Sequence, residues 1–183
     1  MNIDVKEVIE TQSDIQVFVD FDNVGWKKLN GIEALPDNTI MSFYVNSGNP
    51  GRIECKEYKD LLARYNGRHK EYVVPAGKNS VDFRIIYDAM ECVLHGNGKY
   101  IYIVSDDQGF DGAIKAMQDT HNDQFLAIKR CADIRKVIDD YKAMQITKCD
   151  DIKPFLDEIY GSYRSGFILQ KMKELCEYEE AKE

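Results

Sequence analysis

Ile15-Gln16-Val17-Phe18-Val19-Asp20-Phe21-Asp22-Asn23 is an apolar run that ends in acids. Tyr100-Ile101-Tyr102-Ile103-Val104-Ser105-Asp106-Asp107-Gln108-Gly109-Phe110-Asp111 has the same form further along the chain. Short runs rich in Val, Ile, Tyr and Phe read as buried strands. Ile40–Val45, Glu71–Val74 and Gln124–Ile128 read the same way. Between them the apolar spacing is helical. Tyr58, Leu61, Leu62 and Tyr65 mark a helix over Ile53–Tyr65. Ile85, Ile86, Ala89, Met90 and Val93 mark Val81–Leu94, and Phe110, Ile114 and Met117 mark Phe110–Gln118. Strand alternating with helix predicts an α/β three-layer sandwich. Its centre is a mostly parallel five-stranded sheet, with helices on both faces and right-handed crossovers. In such sheets ligands bind at the carboxyl ends of strands, near the switch in strand order. Asp20 and Asp107 fall there.

The pattern changes after Lys129. Asp133–Lys142 reads as a helix, with Ile134, Val137, Ile138 and Tyr141 on one side. A capped helix start at Asp150 runs to about Tyr160. Gly161–Gly166 reads as a loop and Phe167–Ala181 as a last helix. The expected organisation is a single domain over 1–183, with a core at 14–130 and a helical extension at 131–183. The extension either caps the sheet or offers a surface to a protein partner or a second copy.

Of the 183 residues, 44% are hydrophobic and 31% charged, which is ordinary for a soluble globular protein. No apolar run approaches membrane-spanning length and no leader is visible at the start, so the cytoplasm is the expected compartment. Five scattered cysteines without a Cys-x-x-Cys pair point to reduced thiols rather than a zinc site or a disulfide framework. A net charge of −8 argues against a generally basic, non-specific nucleic-acid surface. It leaves room for a local basic rim around a metal site.

Each acid has a plain alternative. Asp20-Phe21-Asp22-Asn23 suits a strand-ending turn as well as a cation site. Asp22 alternates to the other side of the strand path from Asp20. Asp82 follows Lys78-Asn79-Ser80-Val81 at a helix start, with Asn79 or Ser80 as N-cap, where an acid favourably meets the helix dipole. Asp107 and Asp111 lie four apart and share a face if the helix has begun. Three acids so soon after an apolar strand favour chemistry over capping. Asp88 projects from another helix face. His69, His95 and His121 lack metal-ligand spacing and read as surface residues. Trp26, the only tryptophan, reads as a core or crevice-edge residue. No Walker motif, dinucleotide fingerprint or nucleophile elbow is present.

These residues in this order resemble the PIN-like nucleases, most closely their NYN branch. The matching elements are Asp20 with Asn23, Lys78 with Val81-Asp82, and Ser105-x-Asp107 with Phe110. The resemblance covers roughly residues 14–130. Gly109 departs from it, because the family segment carries a second Asp just before the aromatic residue. Asp111, just after it, stands as the substitute. The resemblance implies a Mg²⁺- or Mn²⁺-dependent nuclease acting on RNA, single-stranded or structured, or on DNA. It makes Asp20, Asp82, Asp107 and Asp111 the catalytic metal ligands. Asn23, Lys78 and Ser105 are then the substrate-binding residues, with Lys115 or Lys27 adding charge from the rim. Two rivals stand beside it. A haloacid-dehalogenase-like phosphatase would use Asp20 as nucleophile and Asp22 as acid/base, with Ser47 and Lys78 in support. A non-catalytic PIN-like module would bind RNA or protein through its surface.

Overall fold

A computed structural model describes residues 14–151 together with 153, 156–157, 161, 164 and 166–171. Five strands form one sheet: β1 (Ile15–Asp20), β2 (Thr39–Asn46), β3 (Arg68–Val74), β4 (Tyr100–Val104) and β5 (Ala127–Cys131). Their order is β3-β2-β1-β4-β5 and every pairing is parallel. The chain therefore winds from β1 outward to β3, then returns across β1 to β4. The switch point lies between β1 and β4, where both long acidic motifs leave the sheet.

The helices are α1 (Phe21–Val24), α2 (Gly51–Glu54), α3 (Lys56–Leu62), α4 (Ser80–His95), α5 (Gly109–His121) and α6 (Ile134–Asp151), with 3₁₀ turns at Trp26–Leu29 and Ile32–Ala34. One face of the sheet packs Phe18, Tyr44, Ile101, Ile103 and Ile128 against Ile85, Ala89 and Val93 of α4 and Ile114 and Met117 of α5. On the other face Phe43 meets Tyr58 of α3 edge-on at 5.3 Å between ring centres. Because helices cover both faces, β1 and β4 are buried at every position.

In the sheet and the helices around it, the sequence expectations differ from the structure at several boundaries, each with a physical reason. Phe21 starts α1 rather than ending β1, because Asp20 caps the turn through Asn23. The expected helix over 53–65 is split at Cys55, whose extended backbone (φ −68°, ψ 151°) separates α2 from α3. β3 begins three residues earlier than expected. Arg68–Glu71 are exposed on this edge strand and carry no apolar pattern. β5 begins three residues later than expected, because Leu126 is 59% exposed and lies in the approach, not the strand. α6 continues through the expected break after Lys142.

The chain divides into two compact units between Ile138 and Asp139. In the second, positions 153, 156–157, 164 and 166–171 are helical. Arg164 and Gly166 are therefore helical where a loop was expected; the rest of that loop after Gly161, and the last helix beyond 171, lie outside the described residues. Cys55, Cys92 and Cys131 carry free thiols. No helix among the described residues is long and apolar enough to cross a membrane.

Candidate active site

Asp20 is the last residue of β1 and is only 4% exposed. Its carboxylate accepts two hydrogen bonds. Ser105 Oγ donates to Oδ2 at 2.9 Å and the Asn23 backbone N–H donates to Oδ1 at 3.3 Å. Ser105, fully buried just beyond β4, also accepts from the Asp107 N–H at 3.0 Å. Asn23 Oδ1 accepts from the Asp106 N–H at 3.1 Å. The two strand exits are thus fixed to each other by side chains from both, which orients Asp20 and Asp107 without mobile loops.

Asp20, Asp82 and Asp107 line one crevice of about 290 Å³, together with Asp22, Asn23, Asn46, Gly77, Asn79, Ser80 and Val81. Asp82 reaches it from the first turn of α4. Asn79, just before that helix, holds a left-handed backbone (φ 57°, ψ 20°), a conformation Asn tolerates better than most residues. Ser80 Oγ donates to the Gly77 carbonyl at 3.1 Å and tightens the same bend.

The electrostatics record crowding of like charge. Burial pushes the Asp20 carboxyl up to about 6, with the negative charges of Asp82 and Asp22 adding to it, while the Ser105 and Asn23 hydrogen bonds pull it down. Burial also raises Asp82, and Asp107 raises it further. Acids that disfavour one another's ionisation are stabilised when a cation binds among them. Among the described residues, no three His, Cys, Asp or Glu side chains stand close enough to grip an ion directly. Oxygen donors of this kind are those a hard cation such as Mg²⁺ or Mn²⁺ takes, with water completing its shell.

The neighbouring acids Asp22, Asp106 and Asp111 each meet a basic side chain. Asp22 accepts from the Asn46 backbone N–H at 2.6 Å and from the Asn49 side chain at 3.3 Å, with Arg52 Nε 3.6 Å away. It lines the crevice but serves to tie α1 to the end of β2. Asp111 lies outside the crevice lining. Its two carboxylate oxygens meet Arg130 at 2.7 and 3.1 Å, and the guanidinium holds its carboxyl below the usual range. Arg130 also donates to the Ser105 carbonyl at 3.1 Å. Arg130 thus links Asp111 to the β4 exit. Asp106 pairs with Lys28 on the 3₁₀ turn after α1.

Lys78 is exposed next to the crevice without lining it. Lys115 pairs with Asp119 at 2.6 Å, and Lys27 is exposed beside the Trp26 ring. Ser47 accepts from the Ala76 N–H at 3.0 Å and does not line the crevice. His69 and His95 are exposed as expected, whereas His121 is half-buried. Asn46, Arg52, Arg130 and Lys28 were not singled out from the sequence. Each is an ordinary polar residue in its own segment and acquires its place only when the sheet brings distant segments together.

Gly109 has a steric logic. The Asp107 carboxylate accepts from the Gly109 N–H at 2.7 Å, an Asx turn that starts α5. A Cβ at 109 would lie 3.0 Å from that same carboxylate oxygen. A side chain there would press on Asp107, so the glycine and this Asp107 geometry belong together.

A family model described as PIN domain matches residues 14–123, the stretch that carries β1 to α5 and every crevice-lining residue. No curated protein matches the sequence. A crystal structure of a protein of unknown function from Vibrio parahaemolyticus is similar at 17% identity, with 71% of this chain and 83% of that one covered and a TM-score of 0.43.

Proposed function

The chain belongs to the PIN-domain family, and from that premise we propose that it is a metal-dependent nuclease of the NYN branch, hydrolysing phosphodiester bonds in RNA or DNA. The observation that carries the proposal is the convergence of Asp20, Asp82 and Asp107 on one crevice at the switch point of the sheet. One or two of these carboxylates, with waters completing the shell, would hold Mg²⁺ or Mn²⁺. Such an ion polarises a phosphoryl oxygen and lowers the pKa of a bound water, so that hydroxide is available near neutral pH.

The chain's own residues do the rest. Ser105 and Asn23 keep the Asp20 oxygens pointed and partly neutralised while leaving lone pairs for a cation. Asn23, with its side-chain oxygen taken by the Asp106 N–H, offers its amide nitrogen to a phosphate oxygen. The backbone N–H groups that open α4 line the crevice and favour an anion there. Lys78 adds positive charge at the same edge. Asp111 holds Arg130 against the Ser105 carbonyl and so fixes the β4 exit. The core at 14–130 would carry this chemistry, and the expected extension over 131–183 would be the surface for a protein partner or a second copy.

The test is Mn²⁺-dependent cleavage of labelled single-stranded RNA and DNA by the purified protein, with Asp107→Asn as control. Equal cleavage by the variant would sink the site assignment. The Arg130-bound state of Asp111 favours one alternative, a PIN-like module that binds without cutting; Mn²⁺ binding by calorimetry together with cleavage dismisses it. The phosphatase reading has less support, since Asp22 is engaged by Asn46, Asn49 and Arg52 and Ser47 lies outside the crevice.

A further inference from the structure

A second cavity of about 380 Å³ is lined by Phe21, Gly25, Trp26, Gly51, Arg52 and Cys55, and Phe21 stands in the chain between the crevice-lining Asp20 and Asp22. We infer that it is a subsite for one nucleobase of a single-stranded nucleic acid, stacked on Trp26 beside the Arg52 guanidinium. The inference rests on the nuclease reading for the strand that would occupy the neighbouring crevice.

Three observations carry it. The first is shape. Two of the lining positions are glycines with nothing within 4 Å of where a Cβ would sit. At Gly25 the backbone (φ 60°) disfavours any other residue. Bare backbone leaves room for a planar ring, and Phe21, 1% exposed, supplies an apolar wall. The second is preorganisation. Arg52 donates to the Phe21 carbonyl at 3.1 Å and to the Asp22 carbonyl, so its planar cation is already placed. A fixed guanidinium stacks on an aromatic ring with little further ordering cost. The third is continuity and charge. Asp22 lines the carboxylate crevice and pairs with Arg52, which lines the slot. Lys27 Nζ stands 5.8 Å from the centre of the Trp26 ring. A chain of net charge −8 thus sets Lys27 beside its one tryptophan and Arg52 in the same cavity. Aromatic and cation together suit a base with its attached phosphate, and stacking of this kind tolerates any base.

Because Trp26 is the only tryptophan, its emission reports the slot directly. Asp107→Asn protein in Mn²⁺ is titrated with single-stranded oligoadenylate and oligouridylate, and affinity is measured in parallel for Trp26→Ala and Gly51→Leu versions of the same protein. The expected result is saturable quenching of emission, with binding weakened about tenfold by Trp26→Ala. Gly51→Leu, which adds bulk where nothing stands within 4 Å, should weaken it similarly without touching Trp26. Binding with unchanged emission and unaltered affinity in both variants would overturn the inference while leaving the nuclease reading intact. Quenching by a protein whose wild type cuts nothing would support the slot and remove the hydrolytic reading. Absence of any nucleic-acid binding would overturn both.

Discussion

The exits of β1 and β4 are built on a similar plan and differ in two respects. Asp20 and Asp22 leave β1, and Asp107 and Asp111 follow β4; one acid of each pair meets an arginine, Arg52 or Arg130. Asp22 nevertheless lines the crevice beside Asp20, whereas Asp111 lies outside it. The second difference is burial. Asp20 is 4% exposed and raised to about 6 by its surroundings, whereas Asp107 is solvent-exposed at the mouth. The comparison teaches that the number of acids in a motif says little about ligand number. The side chain opposite each acid decides its surroundings: Asp82 faces other acids, whereas Asp111 faces Arg130.

The largest expected effect breaks the comparison on its crevice side. Asp20→Asn or Asp107→Asn should lower metal-dependent cleavage on the order of 10²- to 10³-fold, the kinetic equivalent of losing several kcal/mol of charge stabilisation. Steady-state assays on labelled RNA at saturating Mn²⁺ check it. The next effect separates the exits by burial. Without metal, native Asp20 retains a proton between its ordinary carboxyl range near 3.8 and about 6, a proton the unfolded chain has already released. Native stability therefore falls as pH rises through that window, by at most roughly 3 kcal/mol for a shift of about two units. In chelator, Asp20→Asn should flatten that part of the pH profile of denaturant midpoints, and Asp107→Asn should change it less, acting only through Asp82. An unaltered profile in Asp20→Asn would contradict the assigned burial.

Smaller effects are expected on the arginine side. Asp22→Asn weakens charge-assisted bonds to the Asn46 N–H and Arg52, costing about 1–2 kcal/mol of stability and only a few-fold in cleavage. Complete loss of activity would instead point to Asp22 as an acid/base group. Asp111→Asn should cost least, within about 1 kcal/mol, because its pair with Arg130 is exposed on the Asp111 side. Thermal melts of the two variants side by side test the ordering.

The sequence makes the inner strands and the crevice acids legible for one reason. β1 and β4 are buried on both faces, so their apolar runs are continuous, and Asp20 and Ser105-x-Asp107 fall where those runs stop. The edge strands β3 and β5 are displaced from expectation because Arg68–Glu71, Lys129 and Arg130 face solvent on at least one side and break the apolar signal. Spacing suggested that Asp107 and Asp111 share a helix face and hence a ligand role. The partner that draws Asp111 away, Arg130, comes from a different strand, and no local pattern announces it. The same holds for Arg52 and Asp22, thirty residues apart.

The central claim is that Asp107 and Asp111, four residues apart, divide into ligand and brace. The most direct measurement is Mn²⁺ affinity by calorimetry, paired with RNA cleavage, for wild type, Asp107→Asn and Asp111→Asn. The account predicts Mn²⁺ binding and cleavage lost in Asp107→Asn and both retained within a few-fold in Asp111→Asn. Equal loss in the two variants would contradict it.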